Sequence, residues 1–202
     1  MRKYTKQEQA EAILNRELTA QEQSLFDQIA ETATRIVDNY THKQYIDIEG
    51  VAPSAETRYY DGGNGPELFI DDFTTLSAVV ILDSAGDVYD TLTTDQYVFT
   101  PANDTIKNSI RLRRGQGYNY FRDGVQNVKV TGVFHSGSVP SDVQIVTARI
   151  VAHYYNNFSI EQSIKKSEHI EGYSYTLLTS SDQQSRLENI LSDLGGRKKI
   201  LI

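Results

Sequence analysis

The spacing of hydrophobic residues changes twice along the chain. Apolar residues recur at helical spacing from Gln7 to Tyr40, alternate with polar residues from Tyr45 to Gly137, and return to helical spacing after Pro140. Helical spacing indicates amphipathic helices, whereas alternation indicates half-buried strands. The pattern therefore predicts an α+β fold: a bundle of about four helices with a β-sandwich- or barrel-like insertion between the second and third helices.

Two helices are predicted in the N-terminal part. The first covers Gln7–Asn15, with Ala10, Ile13 and Leu14 facing inward. Thr19 and Glu22 form a capping-box pattern, which opens a second helix that runs to about Tyr40. Its inward face is predicted from the apolar spacing, and its polar face from the charged residues between. The inward set is Leu25, Ile29, Ala33, Ile36, Val37 and Tyr40, and the polar set is Glu22, Asp27, Glu31 and Arg35.

Six strands are predicted in the middle of the chain, each rich in β-branched and aromatic residues and bounded by turn residues. They are Thr57–Tyr60, Glu67–Ile70, Ser77–Leu82, Gln96–Thr100, Ser109–Arg113 and Val125–Phe134. Asp71 and Asp72 are interpreted as a turn after the second of these strands. Gly132 interrupts the alternation of the last strand and is interpreted as a possible bulge position.

Two more helices are predicted after the strands. Ser141 and Gln144 form a second capping-box pattern. The helix behind it has an apolar face wide enough for a central core element, with Ile145, Ala148, Ala152 and Tyr155 predicted to face inward. A fourth helix starts at Ser181 and ends at Gly195-Gly196. Its inward residues are predicted to be Leu187, Ile190, Leu191 and Leu194. The predicted division is residues 1–44 (N-terminal helices), 45–138 (β insertion), 139–195 (C-terminal helices) and 196–202 (the C-terminal tail).

Charge is distributed unevenly over the 202 residues. The net charge of −7 argues against ordinary duplex binding, which depends on neutralising phosphates. Between Asp61 and Asp104 there are nine acids and no Lys or Arg, whereas Lys107–Lys129 holds six cations and one acid. Two interpretations stay open: a solvated β surface, or complementary edges that meet between identical neighbouring subunits. No apolar run reaches the roughly 18 residues of a membrane span, so no membrane partner is expected.

No residue pattern requires catalysis, a cofactor or a metal. The chain has no Cys, and none of its four His has a second ligand at metal-binding spacing. A GxSxG elbow is missing, and Gly115 and Gly117 lack the third glycine of a nucleotide-binding motif. Asp61, Asn64 and Glu67 do not match a calcium loop and are better explained by a β-turn. We therefore expect a non-enzymatic protein.

Two segments near the C-terminus are unusual. Residues 166–178, KSEHIEGYSYTLL, are too polar for a core helix and too rich in apolar and aromatic residues for a linker. Such a segment packs either on its own domain or on a neighbouring subunit. The C-terminal tail ends in three β-favouring residues, Ile200, Leu201 and Ile202, which suit strand addition to a partner; a frayed terminus is the alternative.

Taken in order, several stretches resemble the head-to-tail adaptor (connector, head-completion) proteins of long-tailed phages and gene transfer agents. The resemblance covers nearly the whole chain. Its segments are Leu14–Thr19 and the helix after it, Thr57–Gly62, Leu76–Asp83 with the following Ser-Ala-Gly turn, Val139–Val143 and, above all, Lys166–Tyr175. The last segment is similar to a Ser-Glu, Ile-Gly-Asp, Tyr-Ser-Tyr pattern of this family. Here Glu171-Gly172 stands where glycine followed by an acid is more usual.

The resemblance implies a structural protein of the virion, located at the head-tail interface and assembled in the host cytoplasm. Such adaptors form a twelve-membered ring on the portal protein, extend the DNA channel without sequence-specific DNA binding, and present a platform for a further head-completion, stopper or tail protein. Their C-terminal parts engage the portal. The resemblance therefore implies a portal-binding role for the fourth helix and for Arg197, Lys198, Lys199, Ile200, Leu201 and Ile202.

The subunit interface is a second expectation. Ser167, Glu168, Ile170, Tyr173 and Tyr175 are predicted to lie at or beside it, with packing inside their own subunit as the alternative. A competing class is a protein- or carbohydrate-binding β module of a tail or baseplate. It would expose an aromatic platform on the β insertion, for which Tyr118, Tyr120 and Phe121 are the candidates.

Overall fold

The computed structural model describes residues 2–162 and 180–197. Its helices are α1 (Gln7–Leu14), α2 (Ala20–Thr41), α3 (Ser141–Gln162) and α4 (Ser180–Ser192), followed by a 3₁₀ turn at Gly195–Arg197. Its strands are β1 (Glu56–Gly62), β2 (Glu67–Leu82), β3 (Val88–Thr91), β4 (Tyr97–Thr100), β5 (Lys107–Leu112) and β6 (Gly124–Phe134). The α+β prediction, with four helices and the strands between the second and third, is confirmed. The chain forms two compact units, a helical unit (Met1–His42 with Val139–Ile202) and a β unit (Lys43–Ser138).

The predicted capping box at the start of α2 is present. The backbone N–H of Glu22 donates to the Thr19 hydroxyl at 3.3 Å, and the Thr19 N–H donates to the Glu22 carboxylate at 2.8 Å. Two amides at the helix end that lack helical partners are thereby satisfied. This local signal fixes the start of α2 at the predicted place.

The buried face of α2 includes Ala33 and Val37, as predicted, but in the first half of the helix it lies one position further along, at Phe26 and Ala30. Phe26, Ala30, Ala33 and Val37 are buried, whereas Leu25, Ile29, Ile36 and Tyr40 are only half-buried. Glu22, predicted on the polar face, is also buried. On α1, Ala10 is buried as predicted but Ile13 is exposed. Apolar residues flank both sides of the true stripe on α2, so spacing alone cannot choose between the two faces.

The central core element of the helical unit is α3, which packs against α1, α2 and α4. Its buried residues surround most of the helix: Val143, Val146, Thr147, Ala148, Ile150, Val151, Ala152 and Tyr155. Ile145, predicted to face inward, is exposed. Ser141 belongs to the helix, and the Gln144 side chain donates to the Val139 carbonyl, so the predicted capping box is not formed as written.

The strands of the β unit form one antiparallel six-stranded sheet in the order β1-β6-β2-β5-β4, with β3 paired to β2. Its core is one cluster of sheet residues, together with Leu92 after β3 and Phe121 from the β5–β6 connection. Phe73, Val79, Ile110, Val128 and Val130 are fully buried within it. The sheet therefore supplies its own hydrophobic core.

The predicted turn at Asp71-Asp72 is wrong, because β2 runs unbroken from Glu67 to Leu82. The buried positions change phase along this strand, from even-numbered Leu68 and Ile70 to odd-numbered Phe73 and Val79, and the pairing register shifts there. Asp71 accepts hydrogen bonds from Arg58 (2.7 Å) and the Tyr60 hydroxyl (2.9 Å), and Asp72 accepts one from Ser136 (2.6 Å). These hydrogen bonds give both carboxylates partners, which allows two adjacent acids inside a strand.

The remaining differences in the sheet concern β3 and Gly132. Strand β3 escapes prediction because Val88 and Tyr89 are exposed and give no buried alternation. The extra residue lies on β2, between Leu76 and Ala78, opposite Gly132 and Thr131. A Cβ at Gly132 would lie 2.4 Å from the Thr75 carbonyl oxygen, so glycine permits this close approach. The predicted bulge thus lies on the strand that Gly132 faces.

Candidate interaction surfaces

The end of α4 is tied to α3 within the helical unit. Leu194 is fully buried and Leu191 nearly so, as predicted, while Leu187 and Ile190 are half-buried. The Arg197 Nε donates to the carboxylate of Asp142 at 2.5 Å. This bond is the main reason that the pKa of Asp142 lies below its ordinary value. Arg197, predicted as a portal-binding residue, therefore contacts the first turn of its own α3.

The other predicted site residues lie outside the described part of the chain. These are Lys198, Lys199, Ile200, Leu201 and Ile202 of the tail, and Ser167, Glu168, Ile170, Tyr173 and Tyr175 of the tyrosine-rich segment. Their roles stay predictions.

The β unit carries an open groove of about 960 Å³ between the β2–β3 turn, the start of β6 and Tyr59 of β1. Tyr59 and Tyr89 are half exposed, at 50% and 52%, and Val125 is 82% exposed. The Arg122 guanidinium lies 4.4 Å from the centre of the Tyr89 ring and donates to its hydroxyl at 3.2 Å. The groove thus combines aromatic faces with a cation and hydrogen-bonding groups.

A close-packed corner supports one wall of this groove. The buried Asn127 side chain accepts from the Gly62 N–H at 2.8 Å and donates to the Arg122 carbonyl at 3.0 Å. Gln126 adopts a left-handed conformation (φ 51°), and its N–H donates to Asp61 at 2.6 Å. Left-handed backbone at a non-glycine residue persists where surrounding contacts hold it. These contacts hold Val125 toward solvent.

The predicted aromatic platform is largely wrong. Phe121 is buried in the core cluster, and Tyr118 packs against that cluster while its hydroxyl donates to Asp90 at 2.7 Å. Of the three candidates, Tyr120 is exposed. Tyr59 and Tyr89, which the sequence reasoning missed, are the exposed aromatic residues of the groove. Their strand positions give no signal, because each is next to another aromatic or apolar residue, Tyr60 or Val88, and the alternation does not indicate which of the two faces solvent.

The acidic and basic blocks meet within the β unit itself. Hydrogen bonds from Ser109 and Thr100 lower the pKa of Glu67, and the charge of Arg111, opposite Glu67 in the β2–β5 ladder, lowers it further. Lys107 donates to the backbone carbonyls of Pro101 and Ala102. Part of the charge complementarity is therefore satisfied within the β unit.

A clamp in the helical unit joins the N-terminus to α2. Tyr4 is fully buried, its N–H donates to Thr34 at 3.1 Å, and its hydroxyl donates to Asp38 at 2.5 Å. Arg2 forms an ion pair with the same carboxylate. Burial raises the pKa of Asp38 to about 6, against the opposing effects of Tyr4 and Arg2. The first residues of the chain are therefore part of the helical unit.

The described residues contain no group of three His, Asp or Glu side chains placed to hold a metal ion. His135 is buried, and its Nδ1 accepts from the Gly137 N–H at 3.0 Å. Burial lowers its pKa, so the neutral ring acts in packing. Over the same residues, no helix is long and apolar enough to cross a membrane.

Comparison with known proteins gives little further information. No protein-family model matches the chain, and no curated protein sequence matches it. One similar solved structure is a chain of "Virion of native gene transfer agent (GTA) particle". The similarity covers 92% of this chain and 81% of that chain, with a TM-score of 0.49 and 16% sequence identity. Similarity at this level establishes neither a common fold nor a common role.

Proposed function

We propose that the protein is a non-enzymatic structural component of a virion, a head-to-tail adaptor whose copies form a twelve-membered ring on the portal protein. The ring extends the DNA channel and carries the next head-completion, stopper or tail protein. The observation that carries this proposal is the chain order of the fold. Helices from before and after the β unit in the chain belong to one helical unit, and the described stretches that carry the resemblance lie in the same order on α2, β1, β2 and the start of α3.

Charge supports the DNA-channel part of the proposal. A ring of subunits that each carry a net charge of −7 has little affinity for phosphates where acids face the channel. DNA can then pass without being held. The partners proposed are further copies of the chain, the portal and a tail-side protein.

The C-terminal tail is the proposed portal-binding element. In this proposal the contact residues are Lys198–Ile202, and Arg197 joins them to the body of the subunit. Five extended residues can span roughly 17 Å. Two truncations test the assignment: one removes Lys198–Ile202 and keeps Arg197, and the other removes Arg197–Ile202. Both should abolish binding to purified portal rings, and unchanged binding by both would overturn the assignment.

The tyrosine-rich segment is proposed to lie at or beside the subunit interface. Tyrosine combines apolar area with a hydrogen-bonding tip, which suits such surfaces. Since the chain has no Cys, a single Tyr173→Cys or Tyr175→Cys variant carries one reactive thiol per subunit. A bifunctional thiol–amine cross-linker should join neighbouring subunits through these positions in portal-bound rings. Cross-links confined to single subunits would contradict the interface role.

A second candidate function is a protein- or carbohydrate-binding β module, and the groove beside Tyr59 and Tyr89 favours it. Aromatic faces next to Arg122 can stack on a ligand while polar groups orient it. A glycan array tests the carbohydrate form. Binding lost in Tyr89→Ala, but kept in the equally exposed control Tyr120→Ala, would support this candidate; no binding by the wild-type protein would count against it.

A further inference from the structure

Two ion pairs connect α3 with the end of α4. On α3, Asp142 and Arg149 are seven residues apart, so they lie on one face, two turns from each other. At the end of α4, Asp193 and Arg197 are four residues apart. Arg149 pairs with Asp193, and Arg197 pairs with Asp142 at 2.5 Å.

The order of charges makes this connection directional. Along α3 the acid Asp142 precedes the base Arg149, and at the end of α4 the acid Asp193 precedes the base Arg197. The two segments pair antiparallel, so that each acid meets the base of the other segment. If the end of α4 were reversed on α3, Asp193 would approach Asp142 and Arg197 would approach Arg149, and both contacts would be repulsive. The charge pattern therefore favours the observed direction over its reverse.

Buried and backbone contacts place Arg197 at its partner. Leu194, between the two charged residues of the α4 end, is fully buried. Its N–H donates to the Leu191 carbonyl, and the Arg197 N–H donates to the Leu194 carbonyl, both at 2.9 Å. The 3₁₀ turn thus starts from an anchored residue and directs Arg197 toward the first turn of α3. The carboxylate of Asp142 is also stabilised there by the positive end of the α3 helix dipole.

We propose that Asp142 and Arg149 are positioning residues that fix where Arg197 lies on α3, and hence the point from which the segment Lys198–Ile202 starts. All four charged side chains are between 39% and 55% exposed, and ion pairs with this exposure contribute little to stability. Their effect is instead on the direction in which the end of α4 runs along α3. A tail that starts from a fixed point loses less conformational freedom when it binds a partner. The binding consequence rests on the function proposed above, whereas the positional consequence does not.

Distances between two spin labels test the positional part. The chain has no Cys, so Ile145→Cys on an exposed position of α3 and Lys198→Cys give one defined label pair. The otherwise unchanged protein should give a narrow distance distribution. Arg197→Asp should broaden it at least twofold, and the charge exchange Asp142→Arg with Arg197→Asp should restore it. Glu188→Arg, an exposed charge reversal elsewhere on α4, should leave it unchanged.

Portal binding by the same variants separates the two proposals. Arg197→Asp should bind portal rings about tenfold more weakly, and the charge exchange should recover most of that loss. Equal distance widths in all variants would overturn the positioning role. Full portal affinity in a variant with a broadened distribution would overturn the consequence of that positioning for binding. If the distance distributions change as expected but the protein never binds portal rings, the positioning role is supported and the adaptor function is contradicted.

Discussion

The Glu22 carboxylate accepts hydrogen bonds from both terminal nitrogens of Arg16, at 2.6 and 2.8 Å, and from the Thr19 N–H at 2.8 Å. The backbone carbonyl of Glu22 also accepts from the fully buried Tyr155 hydroxyl at 2.9 Å. One residue of α2 therefore connects the α1–α2 loop to the central helix α3. This explains why an acid occupies a buried position that the helical spacing assigns to the polar face.

Removing the arginine partner should destabilise the protein in a pH-dependent manner. Arg16→Ala should lower the free energy of unfolding at pH 7 by about 1.5–3 kcal/mol, because the Glu22 carboxylate loses its charged hydrogen bonds. The Arg16 hydrogen bonds lower the pKa of Glu22 to about 2. Since this pKa lies below the unfolded value, the stabilisation is present above about pH 4.5 and lost as pH falls toward 2.

Urea unfolding at pH 7 and pH 2.5 measures this effect. The difference between wild type and Arg16→Ala should shrink at the lower pH. Arg35→Ala, an exposed arginine of α2, is the control and should change stability by no more than about 0.5 kcal/mol. An Arg16→Ala loss of the same size at both pH values would contradict the role of the ion pair.

Asp38 should give the opposite pH dependence. Its pKa, raised by burial to about 6, lies above the unfolded value near 4. Its contribution to stability is therefore fully present below about pH 4 and declines as pH rises to 6. Asp38→Asn has no titrating group, so the stability of wild type relative to this variant should fall between pH 4 and 6.5.

Thermal or urea unfolding across that pH range provides the measurement. Asp27→Asn, at an exposed carboxylate that pairs with Lys3, is the matched control. A wild-type to Asp38→Asn difference that rises with pH would mean that the Arg2 ion pair outweighs the burial of Asp38.

Gly62 and Gly63 should respond differently to alanine. A Cβ at Gly62 would lie 1.8 Å from the Arg122 carbonyl oxygen and 2.9 Å from the Asn127 side chain, whereas a Cβ at Gly63 meets nothing within 4 Å. Gly62→Ala should therefore cost about 1–3 kcal/mol, or more if the corner cannot relax. Gly63→Ala should be within about 0.5 kcal/mol of wild type. Equal melting temperatures for the two variants would show that the corner is not close-packed.

Local signals in the sequence were sufficient for much of the fold. The Thr19–Glu22 capping box and the alternation around Val128 and Val130 depend on neighbours in the chain, and the structure has both. The position of two acids inside β2 could not be predicted, because Asp71 and Asp72 find partners in Arg58 and Ser136, which are distant in sequence.

The candidate surfaces were harder to predict for the same reason. The ion pair of Arg197 joins it to Asp142, 55 residues earlier in the chain, and a pattern of charges near a terminus does not reveal such a partner. Likewise, the exposure of Tyr59 and Tyr89 depends on how β1, the β2–β3 turn and the start of β6 come together. Tertiary packing decides these positions.

The mass of the complex with its portal tests the central claim most directly. Native mass spectrometry of the full-length protein mixed with purified portal rings should give one complex with twelve copies of the 22.8 kDa chain per portal ring, and the variant lacking Lys198–Ile202 should give portal rings alone. Portal rings that stay free at saturating concentrations of the full-length protein would contradict the adaptor function.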